Sequence, residues 1–428
     1  MGCRMSTPIR VLHAESNIPY LQQRSKLLAE KFSLKLLSFE NHQLHQHLAG
    51  LYFTIKDTTH YGETLNNFTL IKAYLEVMKN TSLVKKYDTP LPYPFDYENL
   101  VTDFSDIIDF SLGVKLQNAE DIKQTLEDNL VKFPSEENFY TDGSKINKDN
   151  DVGAASLAHL SNSCILLKLP PETSIFTAEA TALRETLKFI LEQEIKIANV
   201  FIDSQSLLKA ICSSSFKNQN SYLIHEIKEL LIISRKSNLL ITLIWIPSHK
   251  GIPGNELADS LAKEAIKIGE KIEFKIPYSD LNSKINSKFK KFHLTRLKNI
   301  DTDKGNYYFD NFFQEKNHTW FKYSPYTRRH IVTIIRLRSN HHSLQESLHR
   351  KNIISSPLCT FCNSAEGTID HILWICPEFD GARSWLLTNL KKSNNYFPCT
   401  STEFLKDPNS PLAKVLVDFI VQKCKIFI

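Results

Sequence analysis

Between residues 137 and 269 the chain alternates short apolar β-like runs with amphipathic helical stretches, and this order constrains the fold more than any other feature. Three β-like runs come first, and helices and strands alternate after them. The β-like runs are residues 139–141, 152–160, 163–169, 200–202 and 239–246. The predicted helices are residues 176–194, 204–211, 222–234 and 255–269. The order βββαβααβα predicts an α/β fold in which helices cover a mixed sheet.

Four acidic residues stand near the ends of these elements, and their motifs offer no obvious basic partner. They are Asp142 after the first strand, Glu179 in the first turn of a helix, Asp203 after the fourth strand and Asp259 on the last helix. Carboxylates so placed can gather over one edge of a sheet. Such a cluster needs compensating cations, and hard oxygen ligands select Mg²⁺ or Mn²⁺. Taken singly, each acid could equally be a solvated surface residue.

The residues around these acids carry a family resemblance. The segments YTDGS (140–144), TAEATAL (177–183), IDSQSLL (202–208) and SHKGIPGNELADSLAKEA (248–265) occur in this order. They resemble the motifs of type 1 ribonuclease H, over residues 137–268. The resemblance implies an RNase H-like fold that hydrolyses the RNA strand of RNA–DNA hybrids. It also implies that Asp142, Glu179, Asp203 and Asp259 bind two Mg²⁺ (or Mn²⁺) ions, which activate water and stabilise the leaving oxygen.

Further residues of these motifs are assigned roles by the same resemblance. His249 matches the family's mobile histidine, which shuttles a proton or helps product leave. Asn255 is expected to cap the last helix, where the backbone could approach phosphate. Gly143 and Ser144 are assigned with Asn255 to nucleic-acid contact.

A second cluster of chemically reactive side chains lies near the C-terminal end of the sequence. Cys359, Cys362, His371 and Cys376 have the spacing C-x2-C-x8-H-x4-C. Three thiolates and one imidazole suit a closed tetrahedral Zn²⁺ site, so Zn²⁺ is a second expected cofactor. The alternative is that these four residues do not form a metal site and share only their position in the sequence. The x8 gap is longer than in a retroviral zinc knuckle, so nucleic-acid contact by this module does not follow.

Two more segments have a resemblance of their own. Residues 334–379 and 5–38 resemble the regions after the ribonuclease H domain and after the polymerase core in jockey-like non-LTR retrotransposon polyproteins. The chain would then be the C-terminal part of such a reverse transcriptase polyprotein. A Tyr-x-Asp-Asp polymerase motif occurs nowhere in the sequence, so polymerase activity is not implied.

Positive charge is concentrated in one block. Residues 271–350 contain 16 Lys and Arg and 7 Asp and Glu, so this block has a net charge of +9 (16 minus 7). The formal net charge of the whole chain is only +5. An excess of this kind is typical of a polyanion-binding surface, although a solvated helical face would look the same. Four arginines are predicted to contact nucleic acid: Arg328, Arg329, Arg336 and Arg338.

These observations predict four segments, with mainly helical regions flanking the α/β domain. They are a helical remnant at 1–130, an RNase H type 1 domain at 136–270, a basic helical region at 271–350 and a zinc-motif region at 351–428. The first includes helices at 20–38 and 65–87, followed by an extended proline-rich connector at 87–98.

The composition excludes several other classes of protein. No apolar stretch approaches the ~20 residues of a membrane span, and the eight cysteines are too few for a disulfide framework, so an intracellular protein without a membrane partner is expected. The expected partner is an RNA–DNA hybrid, and the oligomeric state stays open. The alternative function is a catalytically silent nucleic-acid-binding remnant.

Overall fold

The protein packs as two compact units. A computed structural model describes residues 2–39, 41–57, 68–80, 82–86, 101–146, 151–213, 221–298, 304–315, 318–394 and 398–426. The central unit runs from Ser25 to Phe289, and the terminal unit combines the residues up to Arg24 with those from Lys290 onward. These bounds differ from those of the four predicted segments. The division into four domains therefore stays a prediction. The predicted connector at 87–98 lies outside the described residues, as does the start of the helix predicted at 65–87.

The elements follow the chain in this order. The strands are β1 Ile108–Asp109, β2 Glu137–Ser144, β3 Val152–Ala158, β4 Cys164–Leu169, β5 Ile197–Ile202, β6 Leu240–Trp245 and β7 Glu270–Lys271. The helices of the first half are α1 Ile9–Ser16, α2 Leu21–Leu37, α3 Gln43–Asp57, α4 Thr69–Val77, α5 Ser111–Gln117, α6 Ile122–Leu130, α7 Ile175–Glu192 and α8 Gln205–Cys212. Those of the second half are α9 Tyr222–Lys236, α10 Pro253–Ile268, α11 Tyr278–Lys298, α12 Asn306–Asn311, α13 Arg328–Arg338, α14 Gln345–His349, α15 Asp380–Asn394, α16 Ser401–Leu405 and α17 Pro411–Asp418.

Short 3₁₀ and π turns complete the described secondary structure. The 3₁₀ turns are Met78–Asn80, Ser105–Ile107 and Pro377–Phe379, and the π turns are His371–Ile375 and Phe419–Lys423. The helix predicted at 20–38 corresponds to α2, and α4 with its 3₁₀ extension covers part of the one predicted at 65–87. Among the described residues, no helix combines the length and the apolar character that crossing a membrane requires.

The central unit is built on one seven-stranded sheet with the strand order β1-β6-β5-β2-β3-β4-β7. Strand β3 is antiparallel to both neighbours, whereas β2, β5 and β6 run parallel to one another. The predicted order βββαβααβα is confirmed from β2 to α10, and with it the mixed α/β sheet flanked by helical regions. The short strands β1 and β7 extend the sheet at its two edges and were not predicted.

The first strand of this series is longer than predicted, since β2 continues through the Asp142-Gly143-Ser144 sequence that reads as a turn. Gly143 pairs with Ala154, and Ser144 pairs with Gly153 on β3. A Cβ atom on Gly143 would lie 2.7 Å from the backbone nitrogen of Glu179. The glycine therefore allows helix α7 to approach the strand closely, and it does not form a turn.

Small residues also bring helix α10 close to the sheet. Strand β3, with the sequence VGAASLA, is buried throughout. A Cβ atom on Gly153 would overlap the carbonyl oxygen of Ala262 in α10. Helix α7 contributes its own buried alanines at positions 178, 180 and 182, while Leu183, Leu187 and Ile190 fill the core beneath it. Close packing on both helices fixes where their polar residues stand relative to the strand ends.

The terminal unit has a separate hydrophobic core, and a buried ion pair lies within it. Arg338 is 4% exposed, and its Nε donates to Glu15 at 2.7 Å. Its Nη atoms donate to the carbonyl oxygens of Leu405 and Phe312, at 3.0 and 3.1 Å. Arg338 thus joins segments that are far apart in sequence, and it is not available to a phosphate. We therefore remove it from the predicted nucleic-acid contacts.

Candidate active site

The strand register places two of the predicted acids side by side. Strands β2 and β5 are parallel, and Thr141 is paired with Ile202. Asp142 and Asp203 are the next residues along each chain, so both lie at the same edge of the sheet. Asp203 is held further by Trp245 at the end of β6, whose Nε1 donates to the Asp203 carbonyl oxygen at 3.2 Å.

Helices α7 and α10 bring the other two acids to this edge. The backbone of Glu179 packs against Gly143, the neighbour of Asp142. Asp259, on α10, has a carboxyl group that shares a hydrogen bond with that of Asp142. Asp259 also has a basic partner, since Lys263 Nζ donates to its Oδ2 at 2.6 Å. The expectation that no motif supplies a basic partner was wrong for this acid, because Lys263 lies one helical turn further along α10.

Burial and mutual repulsion hold protons on this cluster. Burial, with the charges of Asp203 and Asp259, raises the pKa of Asp142 to about 7, against a hydrogen bond from the Gly143 N–H. Burial also raises the pKa of Glu179 to about 7, with added repulsion from Asp203 and Asp142. The pKa of Asp203 is raised in the same way by burial. Near neutral pH, compensating cations would favour the fully ionised form of such a set.

Asn255 and two serines that sequence reasoning missed supply hydrogen-bond donors to the cluster. The Ser204 hydroxyl donates to Glu179 and opposes the rise of its pKa. Ser248 and Asn255 do the same for Asp203, and the neighbouring His249 lowers its pKa further. The two serines could have been found from their positions in the sequence, since Ser204 directly follows Asp203 and Ser248 directly precedes His249. Serine at such positions orients a neighbouring carboxylate.

The predicted nucleic-acid contacts of the motifs are buried. Asn255 is the third residue of α10, where Ile252 is the N-cap and Pro253 the first residue, so its predicted role as the cap was wrong. Its amide donates to Asp203, and its Oδ1 is buried without a hydrogen-bond partner. Gly143 and Ser144 are also buried, within β2. Pro253 starts α10, because its fixed φ is already helical. The side chain of Asn255 therefore does not cap the helix and instead orients the carboxylate of Asp203.

His249 lies at the exposed rim of the site, as Ser248 and Glu256 do. Its backbone φ is +52°, and its ring lies on a loop between β6 and α10. One nitrogen of its ring and one carboxylate oxygen each of Glu256 and Asp259 lie within 4.8 Å of one another. Glu256 was not predicted, although it lies one turn before Asp259 on α10, and its Oε1 accepts from the Gly251 N–H at 3.2 Å. The histidine can therefore exchange protons at the rim of the acidic cluster.

The four predicted zinc ligands come together in the terminal unit. One ligand atom from each of Cys359, Cys362, His371 and Cys376 lies within 4.8 Å of the others. Cys359 and Cys376 have sulfurs 4.0 Å apart, and Cys362 Sγ is 3.2 Å from His371 Nε2. A hydrogen bond from Ser364 lowers the pKa of Cys362 to about 6. Burial raises the pKa of Cys376 to about 12.

The remaining predicted arginines divide into two kinds. Arg328 and Arg329 are exposed in the first turn of α13. Arg336 is half-buried, and its Nε donates to the carbonyl oxygen of Gly2 at 2.8 Å. Arg328 and Arg329 are therefore the predicted contacts that face solvent.

Comparison with known protein families agrees with this geometry for the central part of the chain. Residues 134–267 match the family model described as RNase H. The matched range begins just before β2 and ends within α10, so it contains all four acids and His249. The chain therefore contains an RNase H-like domain.

Replacing one buried acid should stabilise the protein when metal is absent. The folded-state pKa of Asp142 is about 7 against an ordinary value of 3.8, so its contribution to stability is present at low pH and is lost as pH rises towards 7 and above. We expect Asp142→Asn, in chelator, to be more stable than wild type by about 2–4 kcal/mol at pH 8, with little difference near pH 4. Urea unfolding at the two pH values measures this.

The control is Asp121→Asn, since Asp121 is an exposed acid outside the cluster. A stability difference between Asp142→Asn and wild type that does not change with pH would contradict the electrostatic reasoning.

Proposed function

We propose that the central unit is an endoribonuclease that hydrolyses the RNA strand of RNA–DNA hybrids. The observation that carries this proposal is the cluster formed by the buried Asp142 and the partly buried Glu179 and Asp203, with Asp259 hydrogen-bonded to Asp142, at one edge of the sheet. The RNase H family match over residues 134–267 supports the reaction class. A set of carboxylates whose ionisation burial opposes is suited to divalent cations, which compensate its negative charge.

Asp142, Glu179, Asp203 and Asp259 would hold two Mg²⁺ or Mn²⁺ ions. When bound, such ions activate a water and stabilise the leaving oxygen of a phosphodiester. The protein's own contribution is orientation. Ser204 holds the Glu179 carboxylate, and Ser248 and Asn255 hold that of Asp203. Lys263 neutralises part of the charge on Asp259.

His249 would exchange a proton with the reacting phosphate or with the product. Its exposure and its loop position allow the ring to reach solvent, while Glu256 and Asp259 lie beside it. Selection of a hybrid would come from the groove shape of the duplex and the 2′-OH groups of its RNA strand, so the sequence preference should be weak.

Hybrid cleavage is the test of this function. We expect full-length protein to cleave a labelled RNA–DNA hybrid in Mg²⁺ and to leave duplex DNA intact. Asp203→Asn removes a ligand charge at nearly constant shape and should abolish cleavage. His249→Ala should slow it by roughly 10²–10⁴-fold, the usual contribution of an acid–base group. Gel analysis of products over time measures both.

The control is Asp121→Asn, which should cleave as wild type does. Wild-type protein that binds hybrid but leaves it intact would instead select the alternative function, a silent nucleic-acid-binding remnant. Cleavage that persists in excess chelator would contradict the assignment of two metal ions.

We further propose that the four Cys and His ligands hold one structural Zn²⁺. Cys359 and Cys376 are buried in the core of the terminal unit together with Leu373. The N–H of Cys359 donates to the Ala365 carbonyl at 2.7 Å, which closes the loop that carries Cys362. Four soft or borderline ligands without an open position fit a structural zinc site. The ion would stabilise the unit, since such sites form only in the folded state.

Metal analysis tests the zinc proposal. Purified wild-type protein should contain about one equivalent of zinc per chain, and Cys359→Ser should lose it and unfold at a lower temperature. Cys164→Ser is the matched control, because Cys164 is exposed and lies in β4, far along the chain from the cluster. Equal zinc content in all three proteins would refute the site.

We also propose that Arg328 and Arg329 contact nucleic-acid phosphates. Both are exposed at the start of α13, in the block that carries the excess positive charge. Changing both to Gln in the Asp203→Asn background should weaken hybrid binding. Each lost phosphate contact should flatten the slope of log affinity against log salt by about 0.9. Lys79→Gln, at a residue whose side chain is 76% exposed, serves as the control in fluorescence anisotropy. An unchanged slope would indicate that these two arginines are solvated and do not contact phosphate.

We propose that the chain derives from a retrotransposon polyprotein. The resemblance of residues 5–38 and 334–379 supports descent from a jockey-like non-LTR retrotransposon polyprotein. None of the eight cysteines, all of which lie among the described residues, forms a disulfide, which is compatible with the proposed intracellular, reducing location.

A further inference from the structure

A buried carboxylate beyond the family match contacts the start of helix α7. Asp280 lies near the start of α11 and is 8% exposed, whereas the matched range ends at residue 267. Its Oδ2 accepts a hydrogen bond from the Ser174 N–H at 2.9 Å. Its Oδ1 accepts from the Thr177 hydroxyl at 3.1 Å and lies 3.2 Å from the Ser174 hydroxyl. All of these groups belong to the central unit.

These contacts form a two-layer cap on α7. Ser174 is the N-cap residue, and its hydroxyl accepts from the Thr177 N–H. Asp280 in turn binds the main chain of Ser174 and the side chain of Thr177. A carboxylate at the N-terminal end of a helix also interacts favourably with the positive end of the helix dipole. The first turn of α7 is therefore held by a residue that is remote in sequence.

The loop before the cap is held from the other side. Lys145, which directly follows β2, donates from Nζ to the carbonyl oxygens of Pro171 and Thr173, at 2.5 and 2.9 Å. The entry to α7 is thus fixed between the end of β2 and the start of α11.

This entry matters because Glu179 lies one turn further along the helix. The backbone nitrogen of Glu179 lies so close to Gly143 that a Cβ atom there would be 2.7 Å away. Asp142 is the next residue on β2. A small shift or fraying of the first turn of α7 would therefore change the distance between the carboxylates of Glu179 and Asp142.

Asp280 is itself firmly held. The segment that leads to it pairs through β7 with β4, and the Lys275 carbonyl accepts from the Tyr222 hydroxyl at 2.8 Å. The Ile276 N–H donates to the Leu83 carbonyl at 2.9 Å. After Asp280, Leu281 and Ile285 of α11 enter the main core of the central unit. The segment is therefore an integral part of the packing around α7.

We infer that Asp280 is a positioning residue, which fixes the first turn of α7 and so sets Glu179 for metal binding. The inference rests on the proposed function. It also has a consequence for the domain boundary, since a division at residue 270 separates Asp280 from the helix that it caps. The nuclease unit would then extend at least to α11.

The experiment compares Asp280→Ala and Asp280→Asn with a matched control in the full-length protein. The control is Asp121→Ala, which removes the cap of α6, where Asp121 accepts from the Gln124 N–H at 3.0 Å. Helix α6 carries none of the four acids. Two quantities are measured: hydrogen exchange of the amides at the start of α7, and the Mg²⁺ midpoint for stabilisation and for hybrid cleavage.

Asp280→Ala should raise the exchange rate at Phe176–Glu179 and shift the Mg²⁺ midpoint about tenfold higher, as loss of a residue that orients a ligand does. Asp280→Asn keeps one acceptor oxygen and should lie between Asp280→Ala and wild type. Asp121→Ala should change neither quantity. Equal Mg²⁺ midpoints in all variants, or the same shift in Asp121→Ala, would overturn the inference.

The two proposals fail separately. If wild type neither binds Mg²⁺ nor cleaves hybrid, the proposed function is refuted, while faster exchange in Asp280→Ala alone still supports the positioning contact. If wild type cleaves hybrid but α7 exchanges no faster in Asp280→Ala, the positioning inference is refuted and the proposed function stands.

Discussion

The cost of ionising neighbouring carboxylates that are partly removed from water is the constraint on which the rest of the central unit depends. Asp142 and Glu179 have pKa values of about 7 because burial and neighbouring negative charges oppose their ionisation. Without compensation such a group destabilises the fold near neutral pH. The surrounding packing holds the acids together despite this. Parallel register sets Asp142 beside Asp203, and small residues on the strands let α7 and α10 approach. A rigid scaffold of this kind keeps ligands preorganised for a cation.

The order of elements could be predicted because hydrophobic periodicity is local. Short apolar runs and stretches of 3.6-residue period predicted the order of elements from β2 to α10, and the four acids were recognised from their motifs. Local signals also misled. Asp142-Gly143-Ser144 has the composition of a turn, yet pairing with β3 extends the strand through it, and Gly143 serves close packing with α7. Asn255 resembles a helix cap, but Pro253 begins the helix, so its amide points to Asp203.

Contacts between residues far apart in sequence could not be predicted in this way. Arg338 was read as part of a basic surface, although Glu15 and two carbonyl oxygens surround its guanidinium in the interior. Asp280 carries no motif, and its two partners, Ser174 and Thr177, lie more than a hundred residues earlier in the chain. Net charge and spacing describe a segment, whereas burial depends on which segments pack against it. The same limit applies to the bounds of compact units, which depend on packing between segments.

The central claim is that the buried acids form a divalent-cation site, and direct Mg²⁺ binding tests it without dependence on substrate or turnover. Mg²⁺ is titrated by isothermal calorimetry at pH 8 into full-length protein dialysed against metal-free buffer. We predict saturable binding that is strongly weakened in Asp142→Asn and in Glu179→Gln, and that is retained in Asp121→Asn. Wild-type protein that takes up no Mg²⁺, or binding of equal strength in Asp142→Asn and Glu179→Gln, would contradict the claim.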